Sequence, residues 1–207
     1  MLPIVTLILT LTALPANPVD TALAHVRQLT SYRMTLRSGH GDNAEVIRYS
    51  YKKPGFVRMD FIKPHHGAVL VYSPVTRQVR LRPFGIAKPL VLTLSPDNSL
   101  VKSSHGHRVD ASDLGSFLER VQKLQRRGTT RVEGKTAVGR NGALEVSVEG
   151  NKDFAVAGVH RYRLWLDTKT LFPVKTMAYD LDGNLLEEVS MEDLELNPEL
   201  PDDYFQL

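Results

Sequence analysis

The chain has 207 residues, 42% of them hydrophobic, and no cysteine. Its length and apolar content support one domain with a proper core. The missing cysteine excludes disulfides, thiolate catalysis, Cys-based zinc sites and lipid attachment through an N-terminal cysteine. The net charge of +3 hides a division, because Met1–Lys175 carries +13 while Thr176–Leu207 has no basic residue and carries −10. Two arrangements suit such a separation. Either the acidic tail packs over a basic sheet, or a basic rim is left to face anionic lipid or an acidic partner.

Leu2–Leu14 is an uncharged apolar run of 13 residues, followed by Pro15-Ala16 and a polar shift at Asn17. This reads as a secretory signal peptide, residues 1–16, with cleavage after Ala16. A retained anchor or a buried element is the other use of such a run, which is short of the roughly 20 residues of a membrane span. Residues 17–207 then form one domain. Val19–Thr30 has Leu23, Val26 and Leu29 at helical spacing, with Asp20 as the expected cap. Tyr32–Arg37 alternates Tyr32, Met34 and Leu36 with Arg33, Thr35 and Arg37, a half-buried strand.

From Val46 to Phe84 the sequence reads as four strands joined by turns. Pro54-Gly55 suits the two central positions of a type II turn. A two-residue turn there pairs residues whose numbers sum to 109, so Val57 faces Lys52, Met59 faces Ser50 and Phe61 faces Arg48. On the other side Tyr51 faces Arg58 and Tyr49 faces Asp60. Neither face is then purely polar, and both need cover from protein or ligand. Ala68–Ser73 is an apolar run suited to a central strand, and Arg77–Phe84 alternates Val79 and Leu81 with Arg80 and Arg82.

Pro89–Ser95 is a further strand. Ser112 or Asp113 caps a helix with an apolar stripe of Leu114, Phe117, Leu118, Val121 and Leu124, and Gly128 marks its end. Asn141-Gly142 and Asp182-Gly183 are hairpin signals between strand-like runs. His160–Leu166 alternates Tyr162, Leu164 and Leu166 with Arg161, Arg163 and Trp165. The expected fold class is α+β: a large curved antiparallel sheet covered by two or three helices.

The chemical signals are sparse. His65-His66 sit in a turn and His105-x-His107 in a loop, without the three or four converging ligands that a metal needs. Ser103, Ser104, His105 and His107 are close in sequence, yet a triad is defined by geometry. There is no Gly-x-Ser-x-Gly elbow, P-loop or dinucleotide fingerprint. No cofactor is implied and an enzyme is not expected. Arg77, Arg80 and Arg82 near Tyr72 suggest a nucleic-acid surface only weakly, and an export signal argues against it.

A set of short motifs resembles the LolA-like superfamily of periplasmic lipoprotein carriers. A helix and strand over Ala22–Leu36 are followed by Lys52-Lys53-Pro54-Gly55-Phe56-Val57-Arg58-Met59-Asp60-Phe61, then Pro64 and Gly67–Tyr72. Late in the chain come Leu166-Asp167, Leu171–Lys175, Asp182-Gly183 and Leu200–Phe205. The resemblance covers most of residues 19–207. The segment Ser103–Arg127 looks closer to a branch of uncharacterised exported proteins. The resemblance implies an incomplete β-barrel closed by helices, with an apolar interior for acyl chains. It places Lys53 at a basic position before proline and Arg58 at the arginine of the second strand, and Met59 stands where an aromatic is common.

The resulting expectation is an exported, periplasmic carrier of a lipid or acylated lipoprotein. The residues expected to line its cavity are Val57, Met59, Phe61, Val69, Val71, Leu81, Leu92 and Trp165. Lys53, Arg58, Arg80 and Arg82 are expected to hold a headgroup or guide docking at an anionic membrane. The alternative is a cargo-free sensor of the same fold that regulates an inner- or outer-membrane protein.

Overall fold

The computed structural model describes residues 17–39, 44–83, 90–102, 108–139 and 141–207. The expected signal segment lies outside them, as do Phe84, Ser103, Ser104, His105 and His107. The described elements are α1 (Pro18–Gln28), β1 (Ser31–Ser38), β2 (Glu45–Lys52), β3 (Phe56–Lys63), β4 (Val69–Ser73), β5 (Gln78–Arg82) and β6 (Leu92–Leu94). They continue with α2 (Leu114–Gln125), β7 (Gly128–Val138), β8 (Asn141–Gly150), β9 (Arg161–Asp167), β10 (Pro173–Tyr179) and β11 (Leu185–Leu196). The strands form one antiparallel sheet in the order β6-β5-β4-β3-β2-β1-β11-β10-β9-β8-β7. It is open, with β6 and β7 at its edges, and matches the LolA-like half-barrel expected from the motifs.

Both helices pack on one face, where Val19, Leu23 and Val26 of α1 and Leu114, Leu118, Val121 and Leu124 of α2 join the main core. The cap of α1 is Asn17 rather than Asp20: its side chain accepts from the N–H groups of Val19 and Asp20. Pro18 fills the first turn, where a missing N–H leaves nothing unpaired. Asp113 caps α2 through the Ser116 N–H. The Tyr32 hydroxyl accepts from the Leu114 N–H at 2.8 Å, tying the start of α2 to β1. Gly128 opens β7 instead of ending the helix, and a Cβ there would stand 2.1 Å from the Glu149 carbonyl oxygen.

The β2–β3 hairpin departs from the expected register. Tyr51 pairs with Val57, Tyr49 with Met59 and Ile47 with Phe61, so the numbers sum to 108 and the loop has three residues, Lys53–Gly55. A slip of one residue turns alternate side chains to the opposite face. The inferred mixture of apolar and polar groups on each face therefore disappears. Ile47, Tyr49, Tyr51, Val57, Met59 and Phe61 share the helix-bearing face, while Arg48, Ser50, Arg58 and Asp60 point outward. In the β7–β8 hairpin Val138 pairs with Asn141, so the chain turns just before the Asn141-Gly142 step.

The outer face is covered in part by the end of the chain. Leu200 and Phe205 are buried against Val69 and Val71, with Phe56, Tyr204 and Leu207 around them. Arg33 pairs with Glu195 at 2.6 Å, Lys52 with Asp202 at 2.7 Å and Lys175 with Glu188 at 2.8 Å. Arg37 pairs with Glu192 as well. Most of the acidic stretch thus sits within the sheet as β11, beside the basic residues of β1 and β10, and only the segment around Leu200–Phe205 packs over the outer face. Exposed pairs of this kind each add only about 0–1 kcal/mol. The burial on this face comes from Leu200 and Phe205.

Candidate functional site

On the helix-bearing face the strand registers align side chains into rows across the sheet. One row runs Met34–Tyr49–Met59–Leu70–Leu81–Leu92 through β1 to β6. The adjacent row on one side is Met191–Leu36–Ile47–Phe61. On the other side lies Tyr32–Tyr51–Val57–Tyr72–Val79. This third row belongs to the packed core with the helices. The first two rows, Tyr49 apart, form the floor of a cavity of about 650 Å³. Small-molecule sites usually measure about 300–1,000 Å³ and are mostly apolar.

The other walls come from distant parts of the chain. Leu100, Val101 and Val109 lie in short helical turns, and Leu114, Phe117 and Arg120 are on α2. Thr176, Glu187 and Val189 close the side formed by β10 and β11. The polar lining residues include a row Thr176–Val189–Ser38–Glu45 beside the apolar floor, and Ser112 near the start of α2. Glu45, His65 and Lys102 border the cavity near the β2–β3 and β6 side, whereas Arg120, Thr176 and Glu187 stand at the other. Phe117 meets the Tyr162 ring edge-on at 5.6 Å. Burial pushes the Tyr162 phenol above its ordinary pKa, and the nearby Arg120 charge partly offsets this.

The sequence-expected residues separate by face. Met59, Phe61, Leu81 and Leu92 line the cavity. Val57 shares their face but lies one row away in the filled core, 2% exposed. Val69 and Val71 point outward, beneath Leu200 and Phe205. Trp165 also points outward, with Arg163 and Lys175 over its ring. Its neighbours Leu164 and Leu166 point inward, so the alternation of β9 itself separates Trp165 from the cavity.

The four expected cations are outside the cavity. The Lys53 Nζ donates to the Arg27 carbonyl oxygen. Arg58 forms a two-pronged pair with Asp60, and its Nη1 donates to the Tyr204 carbonyl oxygen at 2.8 Å. The bond to Asp60 holds the Arg58 guanidinium above its ordinary pKa. Arg58 therefore clamps the C-terminal segment. Arg80 and Arg82 alternate with Val79 and Leu81 and face outward, and Arg80 is exposed.

Met34, Leu36, Ile47, Leu70, Phe117, Val189 and Met191 also line the cavity and were not among the expected residues. For the first four the signal is the strand alternation combined with the correct hairpin register. For the others it is tertiary. Among the described residues no group of three or more His, Asp or Glu is placed to hold a metal. No described helix is long and apolar enough to cross a membrane.

A family model described as the MucB/RseB N-terminal domain matches residues 89–206. No curated protein matches the chain. Among solved structures, an uncharacterized conserved protein from Thermus thermophilus is similar over 92% of this chain and 91% of its own, at 11% identity and a TM-score of 0.56. The lipoprotein LppX of Mycobacterium tuberculosis is similar over 89% and 95%, at 7% identity and 0.52. MucB of Pseudomonas aeruginosa, solved in complex with MucA, is similar over 92% of this chain at 18% identity and 0.50. This chain spans 59% of that MucB. At these identities the structural matches speak for the fold.

Proposed function

Because the chain belongs to the MucB/RseB N-terminal domain family and carries a LolA-like half-barrel, we propose that it is an exported, periplasmic protein that buries acyl chains of a lipid or acylated lipoprotein. The observation that carries this reading is the cavity of about 650 Å³ floored by two rows of apolar side chains. Each CH₂ moved from water into such a site contributes about 0.8 kcal/mol. Met59, Phe61, Leu70, Leu81 and Leu92 are the proposed contacts. The protein's role is binding and shielding, with no bond made or broken. Arg80 and Arg82, outward-facing, are proposed to guide docking at an anionic surface and not to touch the cargo.

Native mass spectrometry of gently purified protein, followed by lipid extraction, tests this. A co-purifying amphiphile, and saturable binding of a fluorescent fatty-acid probe, are expected. A clean apo mass together with no probe binding would sink the proposal.

A second reading is a sensor that contacts a membrane protein and carries no cargo. It is favoured by the family match and by the solved MucA complex of MucB. Its contact face would be the basic end of α2 and the residue after it, where Lys123 and Arg126 are exposed. A pull-down from membranes that survives delipidation, and is lost on K123E/R126E, would decide for it.

A further inference from the structure

The cavity floor is apolar, and polar residues border it on more than one side, Glu45, His65 and Lys102 as well as Arg120, Thr176 and Glu187. Toward β5 and β6 it is walled by Leu81, Leu92 and Leu100. Toward β10 and β11 it meets Arg120, Thr176 and Glu187. Arg120 reaches this end from α2, with its Nη1 donating to the Ala111 carbonyl oxygen at 2.9 Å. Its Nε is buried without an acceptor from the protein. Among the described residues, buried side-chain polar atoms without a partner occur on Arg120, Gln125, Thr130 and Arg161, and only Arg120 also lines the cavity. A buried donor without an acceptor is unfavourable, so a group that supplies one there is favoured. A guanidinium fork matches the paired oxygens of a carboxylate or phosphate. Glu187 borders the same end and has contacts of its own, so the site is not a bare positive charge.

We propose that Arg120 is the polar anchor of the cavity, holding the carboxylate or phosphate oxygens of a single-chain amphiphile whose tail lies along the Met59–Leu70–Leu81–Leu92 row. This rests on the cavity reading above and adds to it the headgroup class and the orientation of the ligand.

The test is displacement of a fluorescent acyl probe by hexadecanoate, hexadecyl phosphate and hexadecanol, from the wild-type protein and from R120M and R120K. Thermal melts of each variant establish that it is folded, and R120Q replaces R120M if the latter is not. The wild-type protein is expected to prefer both or one of the anions to hexadecanol by about tenfold. R120M abolishes that preference and leaves hexadecanol within about twofold, and R120K restores part of it. A larger loss for hexadecanoate assigns a free fatty acid, and a larger loss for the phosphate assigns a phospholipid-type head. Equal weakening of all three competitors, or no anion preference in the wild-type protein, overturns the anchor while leaving the cavity standing. A wild-type protein that binds no probe overturns both.

Discussion

The two halves of the sheet present the same kind of face to the helices and end differently. Under α2, Leu144, Val146, Val148, Leu164 and Leu166 are at most 1% exposed, and Leu118, Val121 and Leu124 above them are fully buried. Across β3 to β6, Met59, Phe61, Leu81 and Leu92 point to the same side but remain partly exposed around a cavity. The inward residues of both halves are aliphatic or aromatic, so composition does not explain the difference. Coverage does. An antiparallel sheet of 11 strands is about 50 Å wide at roughly 4.8 Å per strand. The longer helix has 12 residues and is about 18 Å long. Two such helices cannot fill the whole face. With this little helix among the described residues, apolar surface is left over around the cavity, which is where the proposed ligand would sit.

The largest expected effect tests that contrast directly. Leu118→Ala, in the filled half, should destabilise by about 2–5 kcal/mol in chemical denaturation, since the site is fully enclosed and a new void remains. Leu81→Ala, at the cavity wall, should cost only about 1 kcal/mol, because its side chain already borders open space. Probe binding should respond the other way, weakened by Leu81→Ala and unaffected by Leu118→Ala. Equal costs for the two substitutions would mean that the second half is as closely packed as the first.

Phe205→Ala comes next, at about 3 kcal/mol, and examines the other side of the sheet. Phe205 is 6% exposed against Val69 and Val71, and it packs 5.5 Å from the Phe56 ring. Probe affinity should hardly change, because this cluster and the cavity occupy opposite faces. A large loss of binding without a loss of stability would mean that the C-terminal segment controls the cavity through the sheet.

Much of this arrangement is legible in the sequence, and its gaps have physical causes. Alternation placed β1, β5 and β9 correctly, and the Asp182-Gly183 step lies between β10 and β11 as expected. The apolar stripe and Asp113 cap define α2. The face of β3 was not legible, because one extra loop residue, Lys53, shifts the pairing sum from 109 to 108 and turns Met59 and Phe61 from opposite Ser50 and Arg48 to opposite Tyr49 and Ile47. Val69 and Val71 looked like cavity residues because β4 is apolar on both faces. The reason lies well over a hundred residues away, in Leu200 and Phe205. Trp165 was separable from the cavity by the alternation of its own strand, where it shares a side with Arg161 and Arg163. The roof residues Leu100, Phe117 and Arg120 depend on how α2 and the short turns settle over β1 to β6, which local pattern does not encode.

Tyr32→Phe addresses the boundary between the two halves and should cost about 1–3 kcal/mol. Its hydroxyl accepts from the Leu114 N–H, and removing it leaves that donor buried and unpaired at the start of α2. Leu114 lines the cavity and also joins the core, so the loss should loosen the roof as well as lower stability. Hydrogen exchange of the Leu114 amide should accelerate more than that of amides in β8.

Alkaline pH should act at the same boundary, with a smaller and graded effect. Burial raises the pKa of both Tyr32 and Tyr49, and for Tyr32 the adjacent Tyr49 adds to the shift while the Leu114 N–H opposes it. In the unfolded chain each phenol titrates near pH 10. A raised folded-state pKa means that the stabilisation is fully present below about pH 10 and is lost as pH rises toward the folded-state value, because the unfolded chain releases protons that the folded protein retains. Each such tyrosine adds at most about 1.4 kcal/mol of lost stability per pH unit in that interval. Tyr49 hydrogen-bonds to the Ser112 hydroxyl at 3.2 Å, just before α2. Tyr49→Phe should therefore lower stability modestly at neutral pH and make the alkaline decline shallower by one proton's worth. Denaturation midpoints for the two proteins between about pH 9 and 11 should converge. Parallel curves would show that Tyr49 ionises as freely in the folded protein as in the unfolded chain, and that the roof of the cavity is not held by a closed, dry contact at this point.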